Sequence, residues 1–382
     1  MRRRVFLNKS EDPIIPKENI LRVSYNNLVV GEEYNYFTEK FDMSPIERIT
    51  YWDGYEAEAE VSKTFIADDD YRSVTFYFKN SPTTLAYMFN GDENIYSVDF
   101  SELDTSKVTD MTEMYHSMCV EYSYFTDFDT RNVTTMEYAF YDSCFGEEIE
   151  NFNTSKVTNM AWCFERSSIY NFDLKKWDVS NVTDMTGMFY FSDGVDYENI
   201  RTWNTSNVTS MADMFGMGSY DGDLNQFFHT FNFQNLTDMS GIFDCYGNWG
   251  DDIIIDGVYT PKLQNMNGAF TRLYYVANVS IKNWDTSTVT DMGWLFNDCE
   301  ELETVYLDLD MSNLKRGGAD YMFSYCDLLT EVTLMGKPST NTGVYDNMFK
   351  GVETDGTLYY NKNYDYSKII SVLPSTWTAV AI

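Results

Sequence analysis

Apolar and polar positions repeat along this chain with a period of about 26 residues. The recurring phrase has the form Val-Thr-x-Met-x-x-Met-Phe, in which x is variable and the last two residues vary between copies. We call the Met the anchor of each copy. Including three degenerate copies, the anchors are Leu85, Met111, Met136, Met160, Met185, Met211, Met239, Met266, Met292, Ala319 and Tyr345. Eleven copies at nearly constant spacing predict a solenoid, in which each unit buries its apolar side against the next.

Each repeat has two parts with different periodicity. Before the phrase, apolar residues follow an L-x-x-L-x-L spacing, as at Val276, Val279 and Ile281, and the last two alternate as in a short strand. Within the phrase, the Val, the anchor and the closing pair have the spacing of a helical stripe, preceded by Ser, Thr and Asn as in helix caps. The predicted fold class is therefore an α/β repeat, a leucine-rich-repeat solenoid of about eleven strand, turn and short-helix coils, with a parallel sheet on one face and helices on the other.

The solenoid is expected to span residues 81–350, between two terminal regions that lack the phrase. Residues 1–80 contain strand-like runs punctuated by Pro and are predicted to form an N-terminal cap that also attaches the protein to its carrier. Residues 351–382 are predicted to form a C-terminal cap that contains a short helix after Asp365. The candidate attachment residues are Arg2, Arg3 and Arg4, which supply local positive charge on an acidic molecule.

Composition excludes several classes of partner. The formal net charge of -33 argues against nucleic acid and anionic lipid, because both would be repelled. No apolar run approaches the length of a membrane span, so we expect no membrane insertion. Apolar residues at 43% nevertheless provide for a folded core.

Catalytic chemistry has little support in the sequence. Only two His are present, and no nucleophile, base and oxyanion-binding group stand together. We therefore expect no enzyme, no cofactor and no metal site, while a glycosidase-like pair of carboxylates would reopen the question. The six Cys stand at repeat positions and are predicted to be free, buried and structural. The Asn residues of the N-x-S/T sequons are interpreted as turn and cap residues rather than glycosylation sites.

The outward positions of the strands form the candidate binding surface. Tyr, Phe and Asn recur there, although the solenoid needs no apolar side chain at those positions for its own core. Aromatic residues supply large contact areas at low entropic cost, and Asn supplies hydrogen bonds. Packing against neighbouring loops remains the alternative. The candidates are Tyr122, Tyr124, Asn171, Asp173, Tyr197, Asn199, Phe227 and Tyr306.

Three copies of the phrase carry a family resemblance. WDVSNVTDMTGMF at 177–189, WNTSNVTSMADMF at 203–215 and WDTSTVTDMGWLF at 284–296 resemble the BspA-type leucine-rich-repeat surface protein family. The resemblance covers roughly Thr83 to Phe349. It implies a non-enzymatic array that serves adhesion or interaction, with no family active site to carry over.

The start of the chain lacks the long apolar segment of a signal peptide. Among proteins with such repeats, we therefore expect a phage virion component, a tail, fibre or capsid-decorating protein, that adheres to the host surface. The expected partners are other virion or surface proteins through the N-terminal region, and a host-surface glycan or protein. The alternatives are a bacterial cell-surface adhesin and a purely structural virion protein without a receptor.

Overall fold

The computed structural model describes residues 19–51, 56–58, 64–67, 69–89, 94–117, 120, 122–143, 147–170, 172–218, 220–221, 224–244 and 252–382. Its strands are β1 (Ile20–Tyr25), β2 (Glu33–Asn35), β3 (Ile46–Tyr51), β4 (Glu56–Glu58), β5 (Thr64–Ile66), β6 (Arg72–Phe78), β7 (Ile95–Asp99), β8 (Tyr122–Tyr124), β9 (Val195–Asp196), β10 (Tyr220–Asp221), β11 (Ile253–Asp256), β12 (Asn278–Trp284), β13 (Thr304–Leu309), β14 (Glu331–Leu334), β15 (Gly356–Tyr360) and β16 (Trp377–Ala381). Its α-helices are α1 (Tyr197–Ile200), α2 (Leu224–Thr230) and α3 (Ser367–Ile370), and 3-10 helices span Glu147–Asn151 and Leu174–Lys176.

The repeats form a solenoid, as the sequence predicts. Parallel bridges connect the residues just before successive anchors and join nine coils in one column: Thr84, Asp110, Thr135, Asn159, Asp184, Ser210, Asp238, Asn265 and Asp291. Backbone hydrogen bonds continue the column, from Met292 to Gly318 and from Ala319 to Val344. No two neighbours in the bridged column are both Asp, so this column places no two carboxylates side by side in adjacent coils.

The helix predicted at each phrase does not form, and this part of the prediction is wrong. The phrase residues form turns whose alternate N–H groups donate to the next coil, as in Met160 to the Asp184 carbonyl at 3.0 Å and Trp162 to the Thr186 carbonyl at 2.8 Å. An α-helix would instead use these N–H groups internally. Trp162 and Arg166 lie two and six residues after the anchor Met160 and have φ of 57° and 59°. Residues of an α-helix have negative φ. The helix-like spacing in the sequence is the spacing of the buried side chains. The turns bury the same positions without α-helical hydrogen bonds.

The core is a set of columns that run through the coils. All eight anchor Met residues are fully buried. The closing aromatic residues stack coil on coil with ring centroids 5.4–6.4 Å apart, in the order Phe140, Phe164, Phe189, Phe215, Phe243, Phe270, Phe296, Phe323 and Phe349. Each side chain packs on its equivalents in neighbouring coils, and the core therefore requires similar residues at the same position of every repeat. The recurring phrase contains these residues.

Most of the predicted parallel sheet lies towards the two ends of the described solenoid. At the C-terminal end, β11 to β16 form a six-stranded parallel sheet in chain order. At the N-terminal end, β7 and β8 pair in parallel. Between them the same side carries the 3-10 helices, the two-residue strands β9 and β10, and helices α1 and α2. A single uninterrupted strand face is therefore not formed.

The terminal regions add strands to these sheets. Strand β1 pairs antiparallel with both β6 and β7, giving the order β4-β3-β6-β1-β7-β8, so the N-terminal region continues the sheet of the first coils. At the other end, β16 pairs in parallel with β15. Helix α3 begins where the Asp365 carboxylate accepts the Ser367 N–H at 2.9 Å, as the sequence predicts.

Candidate functional site

Two of the predicted strand-face residues lie in an exposed aromatic cluster. Tyr122 and Tyr124 are each 44% exposed, and their rings lie parallel with centroids 6.4 Å apart. Tyr96 packs edge-on against Tyr122 at 5.6 Å, and Tyr71 against Tyr96 at 6.4 Å. We call these four residues the tyrosine cluster. Tyr96 lies on β7, Tyr122 and Tyr124 lie on β8, and Tyr71 directly precedes β6. Tyr122 and Tyr124 thus point outward from the sheet, and their role in binding stays a prediction.

The other candidates do not join this cluster. Phe227 is fully buried in α2, so its outward placement is wrong: the strand predicted there is a helix, which turns the ring into the core. Asp173 caps the 3-10 helix that follows it, and the Asn199 amide donates to the Phe172 carbonyl at 2.9 Å. Tyr306 lies on the outer side of β13, under the Lys282 ammonium. Asn171, the Tyr197 side chain, Arg2, Arg3 and Arg4 lie outside the described residues.

A second exposed surface runs along the phrase turns. We call it the turn face, and define it by the residues two, five and six positions after each anchor. Threonine hydroxyls support its edge: Thr134 donates both its N–H and its Oγ1 hydroxyl to the Thr109 carbonyl, at 2.8 and 3.0 Å. Thr183 and Thr209 repeat this arrangement in later coils. The turn face is thus a continuous, hydrogen-bonded platform.

Aromatic side chains cover much of the turn face. Two positions after the anchor, Tyr138 stacks on Trp162 with centroids 5.9 Å apart, and Trp294 stacks on Tyr321 at 5.0 Å. Gly187 occupies the same position and has a left-handed φ, and the Trp162 ring fills the space above it: a Cβ on Gly187 would come within 2.1 Å of that ring. A single glycine in this column is therefore covered by its aromatic neighbour.

Further along this column, the space above one glycine is open. Gly241 and Gly268 follow one another in adjacent coils, and a cavity of about 470 Å³ lies over them. Asp213 extends over Gly241 from one side, while a Cβ on Gly268 would meet only Thr271 Oγ1, at 3.2 Å. Trp294, 41% exposed, closes the other end. We call this cavity the glycine groove.

Polar groups line the glycine groove. Arg272 makes a bidentate ion pair with Asp244, with Nε to Oδ1 at 2.7 Å and Nη2 to Oδ2 at 2.5 Å, and both side chains are largely buried. Asn267 and Asn297 donate their amide groups elsewhere, to Asp291 Oδ1 at 3.1 Å and to the Ser324 carbonyl at 3.2 Å. Their amide oxygens remain available as acceptors towards the groove residues.

Two carboxyl groups of the turn face have raised pKa values. Burial raises the pKa of Asp213 to about 6, and the charges of Asp244 and Asp238 add to this effect. Burial likewise raises the pKa of Glu165 to about 7, with Asp142 contributing in the same direction and Arg166 opposing it. Desolvation disfavours the charged form of both groups, and the Arg166 charge offsets it only in part at Glu165.

The Cys prediction is confirmed where the structure describes it, and the sequon Asn side chains make hydrogen bonds between coils. Cys163, Cys299 and Cys326 are free and buried. Cys299 and Cys326 donate their thiols to carbonyls of the preceding coil, at 3.3 and 3.0 Å. The amides of Asn132, Asn181, Asn207 and Asn235 each donate to a carbonyl of the preceding coil at 2.7–2.8 Å. These side chains hold coils together.

Within the described ranges, no three His, Cys, Asp or Glu side chains are grouped as ligands for a metal ion. None of the helices in the described part of the chain has the length and apolarity that a bilayer crossing requires.

The repeat geometry is matched by one sequence family. The family described as "Mycoplasma protein of unknown function, DUF285" matches four overlapping segments, at residues 37–143, 116–219, 197–271 and 251–354. The chain belongs to this family. The DUF285 match begins within the N-terminal region and covers the coils of both the tyrosine cluster and the glycine groove. No curated protein and no solved structure matches the chain.

Sequence reasoning missed the glycine groove. It treated the phrase as a uniform packing stripe, whereas only the anchor and the closing pair are constant. Two positions after the anchor, the residues are Tyr87, Glu113, Tyr138, Trp162, Gly187, Asp213, Gly241, Gly268, Trp294, Tyr321 and Asn347. That variation, with two consecutive glycines between Asp213 and Trp294, was the signal of an exposed and specialised position.

Proposed function

We propose that this protein is a non-enzymatic recognition protein whose tyrosine cluster binds a partner on a host surface, a glycan or a protein. The observation that carries the proposal is one cluster of four neighbouring tyrosine rings, in which Tyr71, Tyr122 and Tyr124 are 44–49% exposed and Tyr96 is half-buried. Rings that already contact one another need little ordering on binding, and tyrosine is enriched where binding energy is concentrated. The leucine-rich-repeat character of the coils, inferred from their L-x-x-L-x-L spacing, belongs to the same proposal.

The test replaces Tyr96, Tyr122 and Tyr124 together by Ala. We expect the binding of labelled protein to cells of the bacterial host to fall at least tenfold, because each ring contributes about 1–2 kcal/mol on truncation. The matched control replaces three exposed tyrosines elsewhere, Tyr170, Tyr259 and Tyr275, which are 68%, 66% and 49% exposed. If the cluster variant folds normally and binds as well as the control, the cluster is not the binding surface.

The proposed setting is a phage virion, with the N-terminal region as the attachment to other virion proteins. The bacterial cell surface is the alternative setting, and the family description, which refers to Mycoplasma, favours a bacterial context for related chains. Mass spectrometry of purified virions separates the two. Detection of the protein at a fixed copy number supports the virion, and its presence only in cell-envelope fractions contradicts it.

A hydrolase is the second candidate function, because one observation favours it. Asp213 and Asp244 line the same groove, and the pKa of Asp213 is raised to about 6, as expected of a general acid. Both carboxylate oxygens of Asp244 accept hydrogen bonds from Arg272, and this ion pair disfavours Asp244 as the general base. Release of reducing ends from oligosaccharides by the parent but not by Asp213→Asn would establish hydrolysis; no release supports the non-enzymatic proposal.

A further inference from the structure

We propose that the glycine groove is a second binding site, which takes a neutral saccharide. The groove is separate from the tyrosine cluster: Tyr124 belongs to the coil of Met136, whereas Asp213 belongs to the coil of Met211, three coils further along. The proposal therefore does not depend on the function proposed for the cluster.

The floor of the groove has room for a ligand because Gly268 has no side chain and no neighbour covers it. A cavity of about 470 Å³ is within the range of small-molecule sites, about 300–1,000 Å³. At Gly268 this space is open, because a Cβ there would meet only Thr271 Oγ1 at 3.2 Å, whereas Asp213 Oδ1 would lie 2.1 Å from a Cβ on Gly241 and so forms the edge of the groove. At Gly187, by contrast, the indole of Trp162 occupies the equivalent space.

One wall of the groove is an aromatic platform. The Trp294 indole is stacked on Tyr321 with an interplanar angle of 11°, so one of its faces is covered. Its other face is turned towards Gly268, where no side chain stands. A pyranose ring has an apolar C–H face that packs on such a surface, while its hydroxyl groups remain at the ring edge.

The opposite wall and the floor supply acceptors for those hydroxyl groups. Asp213, Asn267 and Asn297 present carboxylate or amide oxygens, because the two amide NH₂ groups already donate within the protein. The Asp244 and Arg272 pair adds a rigid planar edge. With Asp213, Asp244 and Asp298 against a single Arg, the lining is acidic and disfavours uronic or sialic acids. The complementary ligand is a neutral sugar.

The test uses saturation-transfer NMR on the full chain with a panel of neutral trisaccharides: maltotriose, cellotriose, mannotriose, xylotriose and chitotriose. We expect at least one to bind, and the affinity to fall about tenfold or more in Trp294→Ala. Trp162→Ala removes an equivalent indole elsewhere on the turn face and should leave binding unchanged. Tyr122→Ala with Tyr124→Ala should also leave it unchanged, which separates this site from the tyrosine cluster.

A second variant closes the groove without removing any of its polar groups. Gly268→Tyr introduces a tyrosine at a position that Tyr138 and Tyr321 occupy in other coils. Those two tyrosines have φ of 51° and 57°, close to the 62° of Gly268, so the backbone conformation accepts a tyrosine. Its ring is expected to cover Trp294 and abolish binding while circular dichroism stays unchanged. If no trisaccharide binds the parent at millimolar concentration, or if Trp294→Ala and Gly268→Tyr both bind as the parent does, the proposal is wrong.

Discussion

The turn face and the strand face of this solenoid are built from the same repeats but by different means. On the turn face, backbone and threonine hydrogen bonds join coil to coil without interruption from Leu85 to Val344. On the strand face, regular pairing among the described residues joins β7 with β8, the short β9 with β10, and β11 to β16. Continuity therefore follows the constant phrase, and the variable segments before it are free to change structure. The two proposed sites follow this division, since one uses a preserved strand pair and the other a gap in the turn face.

The largest expected effect comes from breaking the aromatic column of the core. Phe215 is 1% exposed and stacks on Phe189 and Phe243 at 5.8 and 5.4 Å. We expect Phe215→Ala to lower the free energy of unfolding by about 3–5 kcal/mol, because the cavity interrupts two stacked contacts. Urea denaturation measures this loss. Ile254→Ala on the strand face, at a side chain that is 58% exposed, should cost less than about 0.5 kcal/mol; equal losses would contradict the comparison.

The glycines of the turn face should differ in their tolerance of a methyl group. Gly187→Ala meets both a left-handed φ and the Trp162 ring, so we expect a loss of about 2–4 kcal/mol in the free energy of unfolding. Gly268→Ala meets only the backbone cost, about 1–2 kcal/mol, because its nearest neighbour is Thr271 Oγ1 at 3.2 Å. Thermal denaturation of both variants ranks them. The reverse order would show that the space above Gly268 is not open.

Buried threonines should matter more than exposed ones. Thr205 is fully buried, and its hydroxyl donates to the Asn232 carbonyl and accepts the Asn232 N–H, at 3.1 and 2.9 Å. Thr205→Val leaves both backbone groups without these partners, and we expect a loss of about 2–3 kcal/mol in the free energy of unfolding. On the strand face, the Thr304 hydroxyl donates to the Asn278 side chain rather than to a backbone group, and the residue is half-buried, so Thr304→Val should be close to neutral. Chemical denaturation that finds the two variants equally stable would contradict this ranking.

The smallest expected effect is a pH-dependent gain in stability. The pKa of Asp213 is about 6 in the folded protein against 3.8 for an ordinary Asp, so ionisation above pH 6 destabilises the folded state. This difference corresponds to at most about 3 kcal/mol, and solvent screening of the partly exposed carboxylate reduces it to about 1 kcal/mol. Asp213→Asn should therefore raise the free energy of unfolding at pH 8, with the gain disappearing below about pH 4. A gain that is constant with pH would exclude Asp213 as its source.

Sequence periodicity was sufficient for the solenoid, its units and its buried residues, because stacking forces equivalent side chains into columns. It failed at the backbone of the phrase, since Met160, Cys163 and Phe164 occupy the same buried stripe in a turn as in a helix. It also failed at Phe227, where a local helix replaces the expected strand. The glycine groove could not be predicted from the constant residues, because it arises where Gly268 has no side chain and no neighbour covers it.

The most direct test of the turn-face architecture is the measurement of scalar couplings across hydrogen bonds by NMR on deuterated protein. We expect the Met160 N–H to couple to the Asp184 carbonyl, and the Phe164 N–H to the Met188 carbonyl, each 24 residues away. Couplings from Phe164 to the carbonyl four residues earlier would instead show that the phrase is an α-helix. That result would contradict the continuous hydrogen-bonded turn face on which the glycine groove depends.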